Sequence, residues 1–426
     1  SNREALEHPG GGVPRPHRSI NRISGPRGNL LATSEAEAGP RLAGQIALIA
    51  VVRFTSNTAY RMIYPFLPVI ARGLGVNLEA IALAVTVRSS LGLAGPALGS
   101  VGDRYGRRAA MLGSMALFSA GLVLVWLWPA YWALVASLLL VGAAKIVFDS
   151  STQAYLGDRV PFARRGRAIA VTELGWSTAF LFGVPIAGWL IARSGWVAPF
   201  PWLALLGVLT LAALWRVIPD DAPEDGAARP ALIAGLRLVS AHRPALAGLA
   251  VALLIGGANE LVNIVFGAWL EGAFGLQVAA LGLASAVIGV AELAGEGTVA
   301  ALTDRIGMRR AVSLGIMLSA AAALALPLLG RSLPGALAGL FLFYLSFEFS
   351  FVSLLPLMTE LVPGARATLM AGNIAAVSLG RMLGAVAGPL LFRVGLLANG
   401  VTAAVVDLVA LAVMLAFVTT GAGSDT

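Results

Sequence analysis

The chain has no cysteine. That excludes disulfides, thiol catalysis and a thiolate metal site, and it leaves the compartment unreadable from redox usage. Histidine is nearly as scarce. His8, His17 and His242 all lie outside the long apolar runs, so no histidine cluster is available for metal binding or catalysis within them. Lysine occurs once, as Lys145, and arginine carries every other strong positive charge. A Gly-rich phosphate loop with its lysine is therefore absent, and nothing points to direct ATP coupling. No catalytic set, cofactor or metal is implied, and the expectation is a protein that is not an enzyme. Charge itself is sparse: 12% of the 426 residues, against 58% hydrophobic, with a mean hydropathy of +0.83. A soluble protein could not hide so much apolar surface, so a lipid bilayer must cover it.

What is present is a series of apolar runs of about twenty residues, each bounded by Gly, Pro or charge. They fall near 44–71, 78–100, 109–128, 131–156, 167–192, 198–217, 245–270, 277–301, 311–330, 334–358, 367–392 and 397–419. The expected fold class is an all-α integral membrane protein with twelve transmembrane helices. Residues 1–42, rich in Gly, Pro, Arg and Ser, look like a disordered tail rather than a cleaved signal. Arg15, Arg18, Arg22 and Arg27 in it can touch anionic lipid or simply be solvated. The expected divisions are that tail, a six-helix bundle over 43–217, a linker over 218–243, a second bundle over 244–420 and a short tail over 421–426. The net charge of +8 and pI near 10.7 do not mark a nucleic-acid binder, because the arginines sit in short segments between apolar runs. They collect on one side, at Arg104, Arg107, Arg108, Arg159, Arg164, Arg165, Arg305, Arg309 and Arg310 among others. The other side has only Arg72, Arg193, Arg331 and Arg393 near span ends. Both termini are therefore expected in the cytoplasm, with the protein in the plasma membrane.

One stretch organises the chain: Gly99-Ser100-Val101-Gly102-Asp103-Arg104-Tyr105-Gly106-Arg107-Arg108. It is expected as a tight polar loop between the second and third spans, with Gly102 and Gly106 permitting a sharp path. It recurs about two hundred residues later as Asp304-Arg305-Ile306-Gly307-Met308-Arg309-Arg310. Two copies, one per half, indicate an internally duplicated membrane protein. Asp158-Arg159-Val160-Pro161 and Glu360-Leu361-Val362-Pro363 repeat the same relationship after spans four and ten.

The stretch resembles the cytoplasmic signature G-x-x-x-D-R-x-G-R-[RK] of the major facilitator superfamily, matching at Gly99, Asp103, Arg104, Gly106, Arg107 and Arg108. The second copy has Ala300 for the leading Gly and Met308 before its arginine pair. The resemblance covers residues from about 43 to 420. It implies two pseudo-symmetric six-helix bundles, with the signature residues, Asp304 and Arg305 acting as a gating element. Gly183-Val184-Pro185-Ile186-Ala187-Gly188 in span five and Gly384-Ala385-Val386-Ala387-Gly388-Pro389 in span eleven are similar to the antiporter signature of proton-coupled exporters in the superfamily. Small residues there also allow plain close packing. In these motifs the chain is nearest to proton-coupled drug and metabolite exporters. Drug exporters usually carry R-x-x-x-G early in span four, whereas Leu138, Leu139, Leu140 and Val141 precede Gly142 here.

Charges inside spans carry most of the functional information, because ionised groups at the bilayer centre are costly. Lys145 sits near the middle of span four with Asp149 one helical turn on, on the same face. The two form either a substrate and proton site or a static buried ion pair. Span one carries Arg53, Asn57 and Arg61 at spacing four, with Tyr60 and Tyr64 beside them. That stripe lines a central cavity or packs against a neighbouring helix. Span seven carries Asn259, Glu260 and Asn263, and span ten carries Glu348 among Phe341, Phe343, Tyr344, Phe347, Phe349 and Phe351. A lone carboxyl in an aromatic setting can carry a proton. In the superfamily, spans one, four, seven and ten line the cavity, and the resemblance places these residues there. Glu173, Arg88, Glu292, Glu296, Arg381 and Asp407 suit structural pairing, Arg381 being the best placed for function. The candidate substrate and proton site is thus Lys145, Asp149, Arg53, Asn57, Arg61, Glu260, Asn263, Glu348 and Arg381.

The resulting expectation is a monomeric secondary transporter of a small amphipathic organic solute, with the proton as coupling ion and efflux as direction. Proton-coupled uptake or exchange of an organic anion is the alternative within that class. A non-transporting assembly factor on the same fold is the alternative outside it.

Overall fold

The computed structural model describes residues 27–220 and 230–418. The tail as far as residue 26, the linker at 221–229 and the end of the chain from 419 lie outside the described residues. The contacts separate one unit ending at Gly44 from a second that begins at Gln45 and holds all the remaining helices.

Every described element is helical. In chain order they are α1 (Arg27–Arg61, resuming as Ile63–Leu74), α2 (Leu78–Tyr105), α3 (Arg107–Leu127), α4 (Tyr131–Arg159), α5 (Arg164–Ser194) and α6 (Pro199–Val217). After a short connecting helix, Pro230–Ala241, come α7 (Arg243–Phe274), α8 (Val278–Ile306), α9 (Met308–Leu329), α10 (Leu333–Leu361), α11 (Pro363–Phe392) and α12 (Leu396–Phe417). Eleven of these, α2 to α12, are long and apolar enough to cross a bilayer. The first expected span is interrupted at Met62, three residues before Pro65, whose ring has no N–H to give to the carbonyl of Arg61.

The stretch from Gly99 to Arg108, expected as a polar loop, is mostly helix. Only Gly106 leaves helical space, at φ +89°, and α3 starts at the next residue. One residue suffices because a glycine at positive φ reverses the path without steric cost. Gly307 repeats the turn at φ +85° between α8 and α9. The other positive-φ glycines pair in the same way, Gly75 with Gly275 and Gly195 with Gly395, each about two hundred residues apart. The duplication is therefore present in the backbone. It extends to contacts: Arg108 donates to the Trp215 carbonyl at 2.5 Å, and Arg309 donates to the Leu415 carbonyl at 2.8 Å.

Within the halves α3 packs on α4 and α6, while α7 packs on α11 and α12 and α9 on α10 and α12. The halves meet along two seams, α2 with α11 and α5 with α8. Glycines set the second seam. A Cβ on Gly289 would lie 2.7 Å from the Ser177 carbonyl, and one on Gly188 would lie 3.2 Å from Cα of Gly282. Just before Pro185, α5 relaxes into a π turn over Ala179–Gly183, and Thr58 of α1 fills the space that Gly183 leaves. Large apolar side chains such as Leu83, Leu205, Leu209, Leu283 and Leu383 face outward, where lipid must cover them. The core lies at the middle, where the apolar stretch of α7 is 72% buried inside the protein. α6 and α12 take part in neither seam between the halves and lie at the rim.

Candidate functional site

The charges within the bundle fall into two clusters joined by an aromatic pair. In the first, Arg53 of α1 grips Glu173 of α5 through both terminal guanidinium nitrogens, at 2.5 and 2.8 Å. Its Nε also approaches Asp149 of α4 at 3.5 Å. Asp149 in turn accepts from Lys145, a turn earlier on the same helix, at 2.7 Å. Two cations and two carboxylates thus balance. Glycine makes the approach possible, since Gly175, two residues from Glu173, lies where a Cβ would come 2.9 Å from Cβ of Arg53.

The second cluster surrounds a small cavity of about 60 Å³ between the halves. Arg61 of α1 forms a two-point ion pair with Glu292 of α8 at 2.5 and 2.7 Å, and it also donates to the Trp176 carbonyl. Both partners are buried, and the pair bridges the two halves across 231 positions of sequence. The Arg61 guanidinium is stacked over Trp176 and Phe180 of α5, 4.1 and 3.8 Å from the ring centroids. Lys145 lies 5.4 Å from Trp176 and 5.9 Å from Tyr60, so these two rings separate the clusters while touching both. Such contacts offset part of the cost of keeping cations out of water.

Around the same cavity stand charged groups with no opposite charge within ion-pair distance among the described residues. Arg381 of α11 is one, and its Nε is buried without a hydrogen-bond partner. Glu348 of α10 is another, packed so closely on α8 that a Cβ on Gly295 would come 2.7 Å from its own Cβ. Glu292, Glu296, Arg61 and Arg381 are its electrostatic neighbours. Glu296 itself accepts from Ser177 of α5 at 3.1 Å. Behind the cavity, Arg88 of α2 donates to the Tyr60 carbonyl and the Tyr64 hydroxyl and stacks 3.7 Å from the Tyr60 ring centroid. Glu260 of α7 accepts from Asn263, whose own oxygen accepts from Tyr344.

The residues singled out from sequence therefore do not form one site. Arg61, Asn259, Asn263, Glu348 and Arg381 line the cavity. Lys145, Asp149 and Arg53 form the separate ion-pair cluster, and Glu260 stands close by in the hydrogen-bond chain of Asn263. Asn57 is fully buried, with both amide atoms unpartnered among the described residues. Two carboxylates left outside the sequence-based set, Glu173 and Glu292, prove to be the direct partners of Arg53 and Arg61, and Trp176 was not singled out at all. Charge balance was the available signal, since three arginines within the first two spans require buried carboxylates elsewhere. Asp407, on α12, stands apart from both clusters beside Ser319. Among the described residues, no group of three metal-binding side chains occurs.

At the signature, Arg107 pairs with Asp158 and Arg108 with Asp220, tying α3 to the ends of α4 and α6. At the opposite end, where α1 meets α2 and α7 meets α8, two ion pairs cross between the halves. Arg72 meets Glu271 at 2.6 Å, and Arg393 meets Glu79 at 2.7 Å.

The arrangement matches known proteins. The Major Facilitator Superfamily pattern matches residues 49–266. A protein named as an uncharacterised transporter of this type from Bacillus subtilis, YbcL, is 26% identical over 301 residues, covering 70% of this chain and 76% of the relative. The inner membrane transport protein YdhP of Escherichia coli is 27% identical, covering 78% of this chain and 84% of the relative. Among solved structures, a bacterial homologue of the human lysosomal transporter Spinster, inward-facing and occupied, superposes with a TM-score of 0.70 at 16% identity. That superposition covers 88% of this chain and 96% of the other.

Proposed function

The chain belongs to the major facilitator superfamily of membrane transporters, and from that premise we propose that it exports a small amphipathic organic solute in exchange for protons. The bundles 43–217 and 244–420 rock about the central cavity in the plasma membrane, with both termini in the cytoplasm and a single chain as the working unit. The observation that carries this reading is the cavity itself. It combines an ion pair that links the halves, Arg61–Glu292, with a buried carboxyl, Glu348, that has no partner among the described residues.

In this reading Glu348 is the group that takes up and releases the proton. With Glu348 protonated, Arg61 stays on Glu292 and holds the halves together. Once Glu348 releases its proton, a third carboxylate competes for Arg61 beside Glu292 and Glu296, and the link loosens. Proton occupancy is thereby coupled to the motion of the halves. At about 60 Å³ the cavity has room for about two waters, well below the few hundred Å³ of an ordinary ligand pocket. The solute therefore enters a wider state than this one. Arg381, with no carboxylate partner among the described residues, favours a solute with an anionic end, and Phe347 and Phe351 suit its apolar part. That same arginine supports the second reading, uptake or exchange of an organic anion.

Proteoliposomes with and without an imposed pH gradient test the proposal. Glu348→Gln should abolish gradient-driven accumulation while exchange at equal pH survives. Equal loss of both would give Glu348 a binding or structural role, and accumulation in the opposite sense would favour uptake.

A further inference from the structure

Away from the central cavity, a groove on the outer face of the second half joins α9 to α12 near the end that carries the signature. Its apolar part is formed by Leu314, Met317, Leu411 and Leu415, and its polar part by Arg309, Arg310 and Ser313. The groove has a volume of about 320 Å³. No carboxylate lines it, and neither arginine has an ion-pair partner among the described residues. Arg309 spends one nitrogen on the Leu415 carbonyl, while its Nε is buried with no acceptor among the described residues. Arg310 is exposed.

The first half supplies an internal comparison. Arg108 occupies the position equivalent to Arg309, with the matching bond to a carbonyl near the end of α6. There, however, Asp220 of the chain itself supplies the negative charge. In the second half no carboxylate among the described residues stands beside Arg309 or Arg310, and the apolar groove runs on from them.

We propose that this groove holds one anionic phospholipid, its phosphate on Arg309 and Arg310 and one acyl chain along Leu314, Met317, Leu411 and Leu415. The bilayer must fill an apolar groove on a lipid-facing surface in any case, so the assignment lies in the headgroup. Two arginines near an anionic headgroup correspond to a roughly thirty-fold preference over a neutral lipid. Because α9 and α12 are also linked by the Arg309–Leu415 bond, the bound lipid would brace the end of α12 against α9.

The purified full chain in neutral detergent, titrated with phosphatidylglycerol, phosphatidylcholine or inorganic phosphate, tests this. Bound lipid is counted by native mass spectrometry, and the melting temperature is followed in parallel. One tightly retained phosphatidylglycerol, raising the melting temperature more than phosphatidylcholine does, is expected. Its retention should fall about thirty-fold in Arg309→Gln/Arg310→Gln. Arg310→Gln alone, which spares the bond to Leu415, should lose several-fold and guards against a variant that fails to fold. Equal retention of the two lipids would overturn the proposal, as would unchanged phosphatidylglycerol binding in Arg310→Gln. Stabilisation by inorganic phosphate equal to that by phosphatidylglycerol would overturn it too, since the groove would then play no part.

Discussion

Asp149 is the hinge of the first charge cluster, because Lys145 and Arg53 both reach it while Arg53 has Glu173 as well. Removing one side of a fully buried pair leaves the other uncompensated, at about 3–5 kcal/mol. Lys145 and Asp149 keep 13% and 22% of their side chains exposed, so Asp149→Leu, which strands Lys145, should destabilise by less, about 1–3 kcal/mol. Lys145→Met should cost less, because Asp149 keeps Arg53 at 3.5 Å. The double variant should regain most of the loss, and melting temperatures of the three settle the order. If the cluster is static, Lys145→Arg keeps initial transport rates near the parent; if it binds solute, the rates fall while the fold survives. At this scale the sequence revealed the Lys145–Asp149 pair, because both lie on one helix a turn apart. It could not reveal Arg53–Glu173 or Arg61–Glu292, whose partners lie 120 and 231 positions apart. Such pairings follow from how helices pack, and local periodicity holds no record of that.

Among elements, the seam between α5 and α8 is the tightest test. A Cβ at Gly289 would meet the Ser177 carbonyl at 2.7 Å and the Leu181 nitrogen at 2.8 Å, and backbone atoms cannot step aside as a flexible side chain can. Gly289→Val should lower stability by about 1–3 kcal/mol and slow turnover, seen as a lower melting temperature and a reduced initial rate. Gly113, inside α3 with open space around it, is the control, and Gly113→Ala should leave turnover unchanged and raise stability by about 0.5–1 kcal/mol. The elements themselves were largely legible. The run expected at 78–100 begins at Leu78 as the helix does, and that at 397–419 differs from α12 by a residue or two at each end. Errors came where polar residues continue a helix, as from Gly99 to Tyr105, and where Pro65 breaks an otherwise apolar run. Composition marks where lipid contact stops, and a helix need not stop there.

For the molecule as a whole, the halves are latched at one end by Arg72–Glu271 and Arg393–Glu79, both partly solvent-exposed. Exposed pairs contribute about 0–1 kcal/mol each, so Arg72→Gln/Arg393→Gln should shift the balance between access states by no more than about thirty-fold. Two spin labels spanning that end, on a background that already has no cysteine, would read the shift as a change in distance distribution. Salt at 1 M should move the parent the same way, because the screening length is then about 3 Å. The Arg61–Glu292 bridge has a further consequence, for how the protein is made. Arg61 leaves the ribosome 231 residues before Glu292. At about 5–20 residues per second its future partner arrives roughly ten to fifty seconds later. Throughout that interval the nascent first half holds an arginine bound for the bilayer interior without its carboxylate, a natural client for membrane insertion machinery. Depleting that machinery should reduce the yield of the parent chain more than that of Arg61→Met/Glu292→Leu, in which the longer of the two waits is removed and only Arg53 still awaits Glu173.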